Sequence, residues 1–85
     1  MNYRIEIKRG ARKQLASMAA PIAARIASTI DALAADPRPS GCRKLAGTDR
    51  LYRVRVGDYR VVYEIHDDRL LVLVIKLGHR REVYR

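Results

Sequence analysis

The chain has 85 residues, of which 48% are hydrophobic, so it can bury one core without metals or disulfides. Its net charge of +9 predicts a polyanionic partner, with nucleic acid first, an acidic protein second and a membrane surface last. A lone Cys42 excludes an internal disulfide and indicates a reducing, cytosolic setting. The strand-like start of the chain predicts no signal peptide. The longest apolar run, at 70–75, is too short to cross a bilayer.

The first half of the chain is predicted to form one strand and two helices. Residues 2–8 alternate between apolar and polar side chains, which is typical of a half-buried strand. A helical period runs from about 9 to 18, and a second one runs from about 21 to 35. Pro21 suits the first turn of that second helix because its missing N–H would be unpaired there anyway. Pro37 ends the helix, since the residue before a proline disfavours helix.

The centre of the chain is predicted to form a meander of three antiparallel strands, at 51–56, 59–66 and 70–75. Gly57-Asp58 is a two-residue hairpin loop, because glycine accepts the positive φ that the favoured turns require. Asp67-Asp68 forms the second tight turn. The third strand is apolar on both faces, as in a strand that is covered from both sides.

This order of elements predicts the fold class. The chain is expected to be α+β in two layers, as a single domain over residues 1–85. An N-terminal strand and a two-helix hairpin pack on an antiparallel sheet, followed by a short C-terminal strand or tail. The helices are expected to cover the face that carries Tyr52, Val54, Val61, Tyr63, Val72 and Val74, and to leave the other face open.

The first hairpin brings like charges together. With a two-residue loop, Arg55 lies directly opposite Arg60 on the open face, and Arg53 lies opposite Val62. Like charges opposed across a ladder are destabilising. Three arginines on one face therefore predict an external anion as ligand. The alternative is a solvated basic face that keeps the sheet from stacking on other sheets.

The stretch 78–85 is predicted to fold back onto this open face. Gly78 breaks the last strand, and a polar cluster follows that has two apolar residues near its end. A disordered basic tail would not need these apolar side chains. We therefore expect the tail to bring His79, Arg80 and Tyr84 toward the arginines.

Two side chains are candidates for a proton acceptor near the arginines. His79 has an ordinary pKa of about 6.5, and a nest of arginines favours its neutral form. The alternative is a structural histidine that donates to a backbone carbonyl. Glu64 shares the arginine face and is either a base or, preferably, a salt-bridge partner of the arginines. His66 and Cys42 are expected to have no catalytic role, and the sequence contains no metal-ligand cluster or phosphate-binding loop, so no cofactor is expected.

Three segments carry a family resemblance: KLAG at 44–47, YRVRVGDYRVVYEI at 52–65 and GHRREVYR at 78–85. Together with the order of elements, they resemble the RelE/ParE superfamily of bacterial toxins, and its RelE branch in particular. The resemblance implies the toxin of a toxin–antitoxin system, a metal-independent endoribonuclease that cleaves mRNA in the ribosomal A site in the cytoplasm. The alternative, implied by the ParE branch, is a toxin that poisons DNA gyrase without nuclease activity.

The resemblance also implies roles for individual residues. Arg60 matches an arginine that holds the scissile phosphate, Arg80 matches one that steadies or protonates the leaving group, and Tyr84 matches a tyrosine that orients the substrate nucleotide. Arg53 and Arg55 stand where the type member has lysines, one of them proposed as the general base, and a guanidinium is a poor base. The expected site is therefore Arg60, Arg80, Tyr84 and His79 for catalysis, with Arg53, Arg55, Lys44 and Arg81 as contacts to RNA phosphates.

The resemblance further implies an acidic, RelB-like antitoxin whose C-terminal segment orders on the toxin. The complex is expected to be heterotetrameric and to bind operator DNA through the antitoxin, and no membrane partner is expected. Strands 3–7 and 51–56 are predicted to be the sheet edges that are available for an added strand.

Overall fold

The computed structural model describes residues 2–79, which form a five-stranded sheet with two helices packed against one face. In chain order the elements are β1 (Arg4–Ile7), α1 (Arg9–Ala16), α2 (Ala20–Ala32), β2 (Arg43–Lys44), β3 (Leu51–Val56), β4 (Tyr59–His66) and β5 (Leu71–His79). The predicted α+β class with two layers is confirmed.

The sheet is mixed rather than antiparallel. Its strand order is β1-β5-β4-β3-β2, and β1 lies parallel to β5, with Ile5 opposite Val72. The other pairs of described strands are antiparallel. The reason is that β5 returns between β1 and β4, so it is paired along both of its edges. This central position explains the apolar character of both of its faces.

The predicted sheet edges are only half right. β1 is an edge strand, as expected. The edge of β3 is covered by the short strand β2, in which Arg43 lies opposite Arg53 and Lys44 lies opposite Tyr52. A strand of two residues is too short to show an alternating pattern, so this segment was predicted to be a connecting loop.

The first hairpin has the predicted register and the second turn does not have the predicted form. Arg55 lies opposite Arg60, and the loop glycine Gly57 has a φ of 60°. In place of a two-residue turn, a single 3₁₀ turn at Asp67–Arg69 leads to Leu70, which adopts a left-handed φ of 48°.

Both helices are shorter than predicted because their last turns tighten. At the end of α1, the hydroxyl of Ser17 donates to the carbonyl of Gln14 at 2.8 Å. After α2, the amides of residues 33–35 bond three residues back instead of four, which satisfies the last carbonyls without extending the helix. Neither helix within residues 2–79 is long and apolar enough to cross a membrane.

The core lies between the helices and the sheet. Tyr63 is fully buried, and its hydroxyl donates to the carbonyl of Pro37 at 2.8 Å. Burial raises the pKa of Tyr63, so this donor stays protonated. Tyr52 stacks on it, with ring centroids 6.2 Å apart. The buried apolar residues that surround Tyr63 are Ala11, Ile26, Ile30, Leu33, Val54, Val61, Ile65, Val72, Val74 and Leu77.

An exposed ion pair joins the β4–β5 turn to two distant segments. The guanidinium of Arg38 donates to both carboxylate oxygens of Asp67, at 2.8 and 3.2 Å. The hydroxyl of Tyr3 donates to the same carboxylate at 2.6 Å. Arg38, and after it Tyr3, lower the pKa of Asp67 to about 2. These contacts hold the turn against the N-terminal strand and the loop that follows α2.

Candidate functional site

Four arginines from three neighbouring strands line one cleft on the sheet. Arg43 of β2 lies opposite Arg53 of β3, and Arg55 of β3 lies opposite Arg60 of β4. Residues that face each other across a ladder share a face, as do alternate residues of one strand, so all four side chains project from the same face. Together with Gly41 they line a cleft of about 350 Å³, which we call the arginine cleft.

The arginine cleft concentrates positive charge at a cost to the fold. None of the described residues that line it is acidic. Directly opposed like charges destabilise a sheet by roughly 0.2–1 kcal/mol per pair, and two such pairs occur here. Arg60 is only 9% exposed, and a guanidinium keeps its charge even when it is partly buried. The cleft is therefore a fixed positive site whose shape and charge suit a phosphate group.

Arg55 is held in place by the hairpin turn. Its Nε donates to the carbonyl of Gly57 at 2.8 Å. Since Nε is used in this contact, the two Nη atoms are the donors that Arg55 can offer to a ligand. The turn thus sets the direction in which this side chain meets the cleft.

The structure brings together three of the residues predicted from the sequence and adds a fourth. Arg53, Arg55 and Arg60 meet as the hairpin register predicted. Arg43 was missed, because its place in the cleft depends on the pairing of β2 with β3. The available signal was a basic residue shortly before the meander, and that signal alone does not distinguish Arg43 from Lys44.

Lys44 does not lie in the arginine cleft. It faces Tyr52, and it therefore projects from the opposite face to its neighbour Arg43. Its Nζ lies 3.7 Å from the carboxylate of Asp49. The basic residue of this segment that reaches the predicted site is Arg43.

His79 also lies away from the cleft. β5 continues through Gly78, which pairs with Arg60, and ends at His79, which pairs with Tyr59 on the helix-covered face. The rings of His79 and Tyr59 meet edge to face, with centroids 5.5 Å apart. His79 lines a different cleft, beside the junction of the two helices. The sequence-based expectation assumed that Gly78 ends the strand, and the extra residues of β5 place the imidazole on the other face.

Glu64 lies on the arginine face and pairs with a histidine. Its Oε1 is 2.8 Å from Nε2 of His66, and Nδ1 of His66 is 3.4 Å from a guanidinium nitrogen of Arg50. The structure therefore gives Glu64 the role of a polar partner, to His66 and not to the arginines as predicted.

The remaining predicted residues, Arg80, Arg81 and Tyr84, lie outside the described residues, as does the predicted fold-back of the tail. Cys42 is half-buried and packs against the core. Among residues 2–79, no group of three or more histidine, cysteine, aspartate or glutamate side chains is placed to hold a metal ion.

Comparison with known proteins identifies related toxins. The family model described as the ParE toxin of type II toxin–antitoxin system, parDE, matches residues 5–84. A relative from Methanocaldococcus jannaschii that carries the name RelE1 is 27% identical over 88 residues, which cover 100% of this chain and 98% of the relative.

Solved structures of RelE toxins are similar to this chain in fold. The archaeal RelE–RelB complex from Pyrococcus horikoshii has a chain that is similar with a TM-score of 0.84 and 34% identity, over 94% of this chain and 97% of that chain. Free E. coli RelE with two arginine-to-alanine substitutions is similar with a TM-score of 0.81 and 25% identity, over 99% of this chain and 92% of that chain.

Proposed function

Because the chain belongs to the ParE toxin family of type II toxin–antitoxin systems and is a toxin of RelE type, we propose that it is a ribosome-associated mRNA endonuclease of the cytoplasm that inhibits translation. The observation that carries the proposal is the arginine cleft, in which three strands place four guanidinium groups around one site. Positive charge that is concentrated in one cleft raises the local concentration of a polyanion such as RNA.

The cleft suits the backbone of RNA in shape as well as in charge. Planar guanidinium groups bind the oxygens of a phosphate through two parallel N–H bonds. In the proposed complex, Arg60 and Arg55 hold the non-bridging oxygens of the scissile phosphate, and Arg43 and Arg53 hold a neighbouring phosphate. The assignment follows burial, since Arg60 is the least exposed of the four and therefore acts in the least hydrated part of the cleft.

The proposed reaction is an internal transesterification. The ribose 2′-oxygen attacks the adjacent phosphorus, the bond from phosphorus to the 5′-oxygen breaks, and a 2′,3′-cyclic phosphate and a 5′-hydroxyl remain. The 2′-hydroxyl releases one proton to solvent and the leaving 5′-oxygen gains one, so no net proton is consumed. Negative charge builds up on the non-bridging oxygens, where Arg60 and Arg55 stabilise it. Each well-placed donor of this kind lowers the barrier by roughly 3–4 kcal/mol.

The described residues that line the arginine cleft supply no proton acceptor. A guanidinium stays protonated throughout the physiological pH range and is a poor base. His79 is not proposed as the base, because it lies on the opposite face of the sheet. The family resemblance supports Arg80 as the group that steadies or protonates the leaving oxygen, Tyr84 as the group that orients the nucleotide, and Arg81 as a further phosphate contact.

We also propose that an acidic, RelB-like antitoxin covers the arginine cleft. The relative from Pyrococcus horikoshii was solved as a complex with RelB. A net charge of +9 attracts an acidic partner over several ångströms, so association should slow as salt is added. A heterotetrameric complex that binds operator DNA through the antitoxin is part of the same proposal.

The test is cleavage of mRNA in vitro, with and without programmed ribosomes, by the wild type and by Arg60→Gln. The matched control is Arg12→Gln, which removes the same charge from the exposed surface of α1. Discrete cuts that end in 2′,3′-cyclic phosphate are expected for the wild type and the control, with at least a 100-fold loss of rate for Arg60→Gln. A folded Arg60→Gln protein that cuts at the wild-type rate would remove Arg60 from the mechanism.

Poisoning of DNA gyrase is the second candidate, because the matching family model is that of ParE. Induced expression followed by mapping of mRNA 5′ ends distinguishes the two functions. A nuclease leaves discrete new ends, whereas a gyrase poison triggers DNA-damage signalling and leaves the mRNA intact. The second result would replace the nuclease proposal.

A further inference from the structure

A second cleft lies at the tip of the β3–β4 hairpin, beside α2. It has a volume of about 280 Å³ and is lined by Ile22 and Arg25 of α2 and by hairpin residues 55–59. We call it the hairpin-tip cleft. Arg55 lines both this cleft and the arginine cleft. A ligand that occupies one of them therefore reaches the other across a single side chain.

The walls of the hairpin-tip cleft differ in character. Ile22, Val56 and Tyr59 are half-buried and pack against the core, so they form an apolar wall. Arg25 and Asp58 bring a donor and an acceptor to the same cleft. Such a combination of an apolar face with a few convergent polar groups is typical of a site for a small planar ligand.

Arg25 is placed over the glycine of the hairpin turn. Its Nη1 and Nη2 lie 3.7 and 3.8 Å from the position that a Cβ atom would occupy on Gly57. The guanidinium of Arg25 thus lies beside the turn, while Arg55 donates to the carbonyl of the same residue. Both guanidinium groups therefore lie beside Gly57, and both line the hairpin-tip cleft.

We propose that the hairpin-tip cleft binds one unpaired nucleobase of the RNA whose phosphate occupies the arginine cleft. This inference rests on the proposed function. A nucleobase has an apolar π-face and an edge that carries both acceptors and donors. The face matches the wall that contains Tyr59, and the edge matches the donors of Arg25 and the carboxylate of Asp58. The carboxylates of an acidic peptide offer no donor to Asp58, whereas the edge of a base does.

The test is an NMR titration of the purified toxin with an adenine dinucleotide whose first ribose lacks the 2′-hydroxyl, so that it cannot be cleaved. Two further dinucleotides lack the base on the 5′ side or on the 3′ side. One of these two abasic forms is expected to bind about ten-fold more weakly, the loss typical of one stacked base. The chemical-shift changes of the Ile22 and Gly57 amides are expected with the full dinucleotide and are expected to be absent with that abasic form.

Three variants locate the effect. Arg25→Gln is expected to abolish the difference between the full and the abasic dinucleotide, and Arg12→Gln, an equal loss of charge on α1, is expected to keep it. Arg60→Gln is expected to weaken all dinucleotides alike, because it removes a phosphate contact.

Three outcomes would overturn the subsite alone, and a fourth would overturn the RNA proposal as a whole. Equal binding of the full and abasic forms, with Arg60→Gln still weakening both, would refute the subsite and leave the phosphate site intact. Equal effects of Arg25→Gln and Arg12→Gln would show a diffuse charge effect in place of a site. If an acidic peptide shifts the amides of Ile22 and Gly57 and no dinucleotide does so, the cleft belongs to a protein partner. Failure of every dinucleotide to bind anywhere on the toxin would refute the RNA proposal as a whole.

Discussion

Arg43 and Lys44 are adjacent in the sequence but project from opposite faces of β2, and they should therefore affect RNA binding differently. Arg43 lines the arginine cleft, whereas Lys44 faces Tyr52 and lies near Asp49. We expect Arg43→Gln to weaken the dependence of RNA binding on salt and Lys44→Gln to leave it unchanged. The two substitutions remove the same charge, so the comparison isolates position from net charge.

The size of the effect follows from the number of phosphate contacts. For single-stranded nucleic acid, each neutralised phosphate adds about 0.7 to the slope of log Kd against log salt concentration. The two phosphates assigned to the four arginines of the cleft contribute a slope of about 1.4, which weakens binding roughly 7-fold between 50 and 200 mM salt. If Arg43→Gln leaves its phosphate without neutralisation, the slope falls by about 0.7, and the same change of salt weakens binding only about 3-fold.

Fluorescence anisotropy with a short, non-cleavable single-stranded RNA measures these slopes for the wild type and both variants. Circular dichroism and a urea midpoint establish that each variant is folded. A fall in the slope for Lys44→Gln as large as that for Arg43→Gln would show that net charge, and not the geometry of β2, decides binding. An unchanged slope for Arg43→Gln would remove this residue from the phosphate site.

Three further predictions concern stability and are measured by urea denaturation. Gly57→Ala should cost about 1 kcal/mol because its φ of 60° is strained for a residue with a Cβ, whereas Gly10→Ala, where a Cβ meets nothing within 4 Å in α1, should gain roughly 0.5–1 kcal/mol. Asp67→Asn should lower the midpoint at pH 7 and lower it much less at pH 2. Arg38 lowers the pKa of Asp67 to about 2 from an ordinary value of about 3.9, and the stability that this shift contributes is lost as the pH falls through this window. Tyr63→Phe should cost about 1–3 kcal/mol, since it leaves a buried carbonyl without its donor.

The parts of the site that local chemistry determines were predictable from the sequence. The loop at Gly57 fixes the hairpin register, and that register alone brings Arg55 opposite Arg60. The position of Arg43 in the cleft depends on a pairing between β2 and β3, and a strand of two residues leaves no pattern from which that pairing could be predicted. The position of His79 depends on where β5 ends, and pairing with β4 carries that strand past a glycine that would stop it in isolation. Non-local pairing is thus the information that the sequence pattern lacked.

The parallel pairing of β1 with β5 has a consequence for when the protein can become active. Residues 4–7 find their partners at 71–74, and no shorter-range strand can replace β5 between β1 and β4. During synthesis, the first strand must wait until nearly the whole described chain has left the ribosome, because pairing over such a sequence separation closes late. The sheet of such a toxin is therefore completed only after translation has passed residue 74, because β1 has to wait for its partner strand β5.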